Sequence, residues 1–240
     1  MDLFRITHRL TRDLKPLRFG SPVSHVYNPL EYARDCYDEY LRKYGQGTRE
    51  TVLIGMNPGP WGMAQTGVPF GEVKMVRDWL GICRPVARPG NEHPKRPVEG
   101  FDCRRSEVSG ARIWGWARER FGTAERFFQR FYVTNYCPLL FLEEGGKNRT
   151  PDQLPAAERA PLLDACDRAL RATIEVLRPK HVVGVGKFAE SRLYAALDGL
   201  DVHITSVTHP SPANPQANRG WGPLMDEKML SLERNGGPRV

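Results

Sequence analysis

Four short apolar runs decide what this chain can fold into: TVLIG (51–55), RFYVTN (130–135), KHVVGVG (180–186) and VHITSVT (202–208). They are rich in valine and isoleucine, and most end at a glycine, an asparagine or a turn, which is how buried strands read. Helical patterns fill the intervals, over 111–121, 161–177 and 187–198, with further helices expected at 30–44 and 223–234. TPDQL supplies Thr150 as an N-cap, Pro151 for a first helical position and Gln153 as a capping-box partner. Strands alternating with helices build a parallel sheet with helices on both faces, an α/β fold. At 240 residues, with 40% apolar content and no internal repeat, the chain reads as a single domain over 1–240. Residues 1–20 add an amphipathic helix, because Leu3, Ile6, Leu10, Leu14 and Leu17 share one stripe. Packing on the domain is the expectation for it; a membrane-surface helix or a transit peptide is the alternative.

In parallel α/β folds, ligands bind beyond the carboxyl ends of the strands. Here those ends carry GMNPGP, NYCPLLF, GVGKF and THPSPANPQANRGW. The first opens a loop over 55–72 with five glycines and three prolines. Glycine lets backbone approach a ligand closely, and proline keeps such a loop from collapsing. Phe70 and Trp61 supply flat faces on which a planar ligand can stack, or which plug the core. Asn57 stands at the mouth of the loop. Its amide does not titrate near neutral pH, so it can orient a water but not act as a base. Asn135, ending the second strand, can donate and accept at once, as the edge of a nucleobase requires. A lone asparagine at a strand end also serves as a turn or cap. His209 opens the fourth loop, well placed as an electrophile or proton donor. The amides and the single cation Arg219 that follow suit phosphate contact, or an ordinary surface loop.

Several classes are excluded. No G-x-x-x-x-G-K-[ST] occurs, and GVGKF lacks the third glycine of a dinucleotide fingerprint, so it reads as a tight strand-to-helix turn. No G-x-S-x-G elbow and no compact His/Asp/Glu set at metal spacing are present, so neither a metal nor a cofactor is expected. Cys36, Cys83, Cys103, Cys137 and Cys166 contain no C-x-x-C pair, which fits reduced thiols inside a cell. The proline-rich stretch 81–100 reads as an ordered surface loop, and His8, His25, His93, His181 and His203 carry no site signal. No run of about 18 apolar residues suggests a membrane span. The net charge of +7 suits an anionic partner such as nucleic acid, or simple solubility.

GMNPGPWGMAQTGVPFGEVKMVRDWLGI, EHPKRP, SEVSGARIWGW, NYCPLLFL and HPSPANPQANRGW closely resemble the single-strand-selective monofunctional uracil-DNA glycosylases. The resemblance runs from Val26 to the last helix. It implies a three-layer α/β/α fold around a four-stranded parallel sheet. It also implies excision of uracil and 5-hydroxymethyluracil from single- and double-stranded DNA, leaving an abasic site for base excision repair. Some relatives prefer deaminated purines such as xanthine. Asn57 matches the asparagine that positions water, Phe70 the ring under the flipped base, Asn135 the reader of the uracil edge, and His209 the histidine that hydrogen-bonds the leaving uracil. Met56, Gly59 and Met63 match positions lining the pocket. The loop from Pro210 through Ser211, Pro212, Ala213, Asn214, Pro215, Gln216 and Arg219 to Gly220 matches the element that wedges into duplex DNA. Two positions depart: Ala213 stands where vertebrate members carry an arginine that enters the duplex, and Trp61 where they carry phenylalanine. The partner implied is uracil-containing DNA, met by a monomer in a bacterial cytoplasm or a eukaryotic nucleus, away from membranes. A non-catalytic binder of single-stranded or damaged DNA is the alternative, since charge and aromatic residues suit it equally.

Overall fold

TVLIG is buried at every position and occupies the middle of a parallel sheet, which explains its unbroken apolar run. The computed structural model describes residues 2–234. In chain order the elements are α1 (Leu3–Leu14), β1 (Val23–Tyr27), α2 (Pro29–Tyr32), α3 (Arg34–Tyr44), β2 (Thr51–Gly55), α4 (Met63–Thr66), α5 (Val108–Phe121), α6 (Ala124–Arg130), β3 (Phe131–Asn135), β4 (Leu140–Glu143), β5 (Asn148–Arg149), α7 (Ala156–Leu177), β6 (His181–Val185), α8 (Lys187–Ala196), β7 (His203–Val207), α9 (Pro215–Asn218) and α10 (Trp221–Arg234).

The main sheet has the order β3-β2-β6-β7, all parallel, as expected from the four runs. After β2 the chain crosses to one side to make β3, and it returns to the other side for β6 and β7. The connection reverses between β2 and β6, so a crevice opens at their carboxyl ends. Gly55 and Asn135 are register partners at that end. Beyond the strands the two chains stay joined: Tyr136 N–H donates to Gly55 O at 2.8 Å and Cys137 N–H to Met56 O at 2.9 Å.

A second, antiparallel sheet of order β1-β4-β5 has no counterpart in the pattern reading. Its central strand lies inside NYCPLLFLE, where consecutive apolar residues hide any alternation. Leu140 and Leu142 pack with Tyr27, Ala64 and Val98 in a small satellite core.

Helix boundaries shift for local reasons. The expected helix over 30–44 breaks at Ala33, whose φ of −110° and ψ of 29° are not helical. The Thr150–Gln153 capping box forms, but it closes a single 3-10 turn, and α7 begins afterwards at Ala156 with Pro161 in its second turn. The amphipathic helix expected over 1–20 is α1, which ends at Leu14; on it Leu3, Ile6 and Leu14 are buried and Leu10 is partly covered, while Leu17, beyond its end, also packs against the core. Among the described residues no helix is long and apolar enough to cross a membrane. Cys83 is exposed and the other four cysteines are buried, all as free thiols.

Candidate active site

The sharp turn from β2 into the Gly/Pro loop brings two side chains to one place. Gly55 is the reason: a Cβ there would come within 2.6 Å of Phe70 Cε2 and closer still to Phe70 Cζ and Asn135 Oδ1. The missing side chain thus lets a ring and an amide from different elements meet over the end of β2. Phe70 adopts a φ of +52°, a left-handed conformation that is uncommon for a bulky residue. Neighbours hold it there. Trp114 Nε1–H donates to Phe70 O at 3.0 Å, and Glu72 N–H donates to the same oxygen at 2.7 Å. Gly110 on α5 has no Cβ where one would press on that carbonyl.

Asn57 donates Nδ2–H to Leu139 O at 3.1 Å. The carbonyl that receives it immediately precedes β4, so the second sheet fixes the amide. With one nitrogen hydrogen committed, Oδ1 is left as acceptor, the role that holding a water requires. Asn135 donates Nδ2–H to Met63 Sδ at 3.3 Å.

His209 follows β7 and lies against Gly186, whose φ is +95° and whose absent Cβ leaves room for the imidazole. Gly186 N–H donates to Val207 O at 2.8 Å, so the GVGKF turn positions the histidine as well as starting α8. Desolvation lowers the His209 pKa below its ordinary 6.5, which keeps the ring neutral at neutral pH.

These groups line one cavity of about 370 Å³. Met56, Asn57, Gly59, Phe70, Asn135 and His209 all border it, as does the start of the fourth loop at Ser211 and Pro212. Met63 does not; it stands behind Asn135. Trp61 also lies outside the wall. It is half-buried, with Arg105 at 4.4 Å and Arg96 at 5.4 Å from its ring centroid, in cation–π contact. Pro210 is buried, and half-buried Asn214 caps α9 by accepting from Gln216 N–H, which commits its Oδ1. Pro212, Ala213, Pro215, Gln216 and Arg219 are exposed.

Other residues of the site were given no role from the sequence. Glu107 caps α5, accepting from Ser109 N–H at 3.3 Å and Gly110 N–H at 2.9 Å, and borders the cavity beside Gly59. Burial raises its carboxyl pKa, partly offset by those backbone donors. Asn148 Oδ1, also in the wall, is buried without a hydrogen-bond partner among the described residues. Arg112 grips the fourth loop: its guanidinium donates to Pro210 O at 2.9 Å, Ser211 O at 3.4 Å and Asn218 Oδ1 at 2.9 Å. An arginine with a hydrogen-bonded loop partner leaves no sequence pattern. Both Glu107 and Arg112 lie within SEVSGARIWGW, so the resemblance covered them without giving either a role. His93, set aside in the sequence, is buried and donates Nε2–H to the carbonyls of Glu143 and Glu144, while Nδ1 accepts from Lys95 N–H. It anchors the proline-rich stretch to the second sheet. Among the described residues no cluster of three or more His, Cys, Asp or Glu side chains could hold a metal ion.

Residues 42–228 match the uracil DNA glycosylase superfamily, and that defines the class: a parallel α/β protein of the base-excising kind, with its site at the carboxyl edge of the sheet. The single-strand selective monofunctional uracil DNA glycosylases of Mus musculus and Bos taurus are each 50% identical to this chain over 226 residues, covering 93% of it and 81% and 83% of those proteins. The chain belongs to this family of uracil-DNA glycosylases. Its fold is also that of the crystal structure of Pedobacter heparinus SMUG2, with a TM-score of 0.67 over 96% of this chain and 98% of that one, at 17% identity.

Proposed function

We propose that this protein hydrolyses the N-glycosidic bond of uracil, and of 5-hydroxymethyluracil, in DNA and leaves an abasic site. The convergence of Phe70 and Asn135 over Gly55 carries the reading, because it makes a slot with a flat floor and a donor–acceptor edge. The target base must leave the stack at a cost of a few kcal/mol, less when the strand is already single. Stacking on Phe70 and hydrogen bonds to Asn135 offset that cost. As the bond from N1 to C1′ breaks, its electron pair stays on the base and negative charge grows on the uracil oxygens. Neutral His209 donates a hydrogen bond there, where charge develops and not before. Water held by Asn57 Oδ1 adds its oxygen to C1′ and releases a proton.

The working unit is one domain over 1–240 acting as a monomer. The exposed part of the fourth loop, from Ser211 to Arg219, is the element that meets the duplex, with Ala213 at its exposed tip. The cavity of about 370 Å³ leaves 5-hydroxymethyluracil and larger deaminated bases such as xanthine open to test. Oligonucleotides carrying uracil, 5-hydroxymethyluracil, hypoxanthine or xanthine, in single and double strands, give that test. Release of uracil and 5-hydroxymethyluracil is the expected result. Tight binding of all four without release of any base would make the protein a damaged-DNA binder instead.

A further inference from the structure

We infer that Met63 is a positioning residue that holds the Asn135 amide in one of its two orientations and so makes the site prefer uracil to cytosine. The inference rests on Asn135 being the reader of the base edge.

Asn135 Nδ2–H donates to Met63 Sδ at 3.3 Å. A thioether sulfur can only accept. Turning the amide by half a turn would set Oδ1 against the sulfur, acceptor against acceptor. The other end of the amide argues the same way. Oδ1 lies so close to Gly55 that a Cβ there would overlap it. An NH₂ group in that position would press its hydrogens onto the glycine's own. Two contacts at opposite ends of one amide therefore select the same orientation. The sulfur cannot swing aside, because Met63 opens α4, is 3% exposed, and packs in the main core.

The amide then shows the cavity its second Nδ2 hydrogen beside a free lone pair on Oδ1. Uracil presents O4, an acceptor, beside N3–H, a donor, and the two edges match. Cytosine presents an amino donor at C4 beside an acceptor at N3, which is the reverse order. Only the turned amide would fit it. Met63 does not line the cavity; it acts through Asn135.

The test uses single-stranded oligonucleotides with one 2′-fluoro-2′-deoxyuridine or one 2′-fluoro-2′-deoxycytidine. Fluorine at C2′ disfavours positive charge on the sugar, so binding is measured without cleavage. The uracil-to-cytosine affinity ratio is compared for the wild type, Met63→Leu and Asn135→Ala. Leucine nearly preserves volume while removing the acceptor, and Met63→Ile serves if the leucine variant does not fold. Loss of the acceptor should narrow the ratio by about tenfold in Met63→Leu, the scale of one buried hydrogen bond. Asn135→Ala should bring the ratio close to one. An unchanged ratio in Met63→Leu, with the ratio lost in Asn135→Ala, overturns the role of Met63 and leaves the reader in place. A ratio that survives in Asn135→Ala as well shows that Asn135 is not the reader.

Discussion

Asn135 and Gly55 face each other as register partners at the ends of β3 and β2, and the Asn135 amide oxygen fills space that any side chain at Gly55 would need. The Phe70 ring borders the same space. One hydrogen atom in place of a side chain thus allows the Asn135 amide and the Phe70 ring, the proposed base-reading edge and stacking floor, to share a wall.

Gly55→Ala is expected to remove activity with a moderate loss of stability. A methyl group would force Phe70 and Asn135 off position, an overpacking cost of about 1–3 kcal/mol. Misplacing the substrate groups by even an ångström costs about 100-fold in rate. Measured kcat/KM on a uracil oligonucleotide together with a thermal melt checks this. A variant that keeps its rate would mean that the two side chains do not need their present positions.

The histidines set the response to acid. The folded pKa of His209 lies below 6.5 through desolvation, that of His181 through desolvation and then His203, and that of His25 through desolvation and then His93. The unfolded chain therefore takes up protons first as pH falls through about 6.5, so stability is full above that value and declines below it. Activity that depends on neutral His209 should persist below pH 6.5 and fall only near the lowered pKa. A pH–rate profile of kcat/KM in single-stranded DNA tests this, and an acidic limb centred above 6.5 would contradict it.

The main sheet was legible because its two central strands are buried at every position and read as apolar runs, TVLIG and HVVGV, while the edge strands FYVTN and HITSV kept enough β-branched and aromatic residues to be seen. Asn57, Asn135 and His209 were legible because each ends a strand of that sheet or lies two residues beyond its carboxyl end. Glu107, Asn148 and Arg112 were not. Asn148 lies on a two-residue strand, too short to show any alternation, paired in a local hairpin with Leu142, and Arg112 is defined by a loop about a hundred residues away. Trp61 was read as a candidate stacking face, yet two arginines cover it, a contact that no local pattern encodes. Met63 came from the resemblance alone, which did not show that it reaches the site through Asn135.

Arg112→Ala should weaken action on duplex DNA more than on single strands. The guanidinium shapes the loop from Pro210 to Asn218 before DNA arrives, and charged hydrogen bonds of this kind contribute about 1.5–3 kcal/mol. Lysine cannot reproduce the forked contact, so Arg112→Lys should restore little. The duplex-to-single-strand ratio of kcat/KM is expected to fall about tenfold, and equal losses on both substrates would assign Arg112 to general stability.

Ala213→Arg should raise the same ratio. Ala213 is exposed at the loop tip, where an arginine gains both reach and a phosphate-seeking charge. A shift of several-fold toward duplex substrate is expected at low salt, shrinking as salt rises. An unchanged ratio would show that the tip does not enter the duplex.

The most direct test is single-turnover release of uracil from a single-stranded oligonucleotide by the wild type, Asn57→Ala and His209→Ala. The expected result is free uracil and an abasic strand with the wild type, and rates lower by about 100-fold or more with each variant. Release at the wild-type rate by both variants would contradict the assignment of water to Asn57 and of the leaving base to His209.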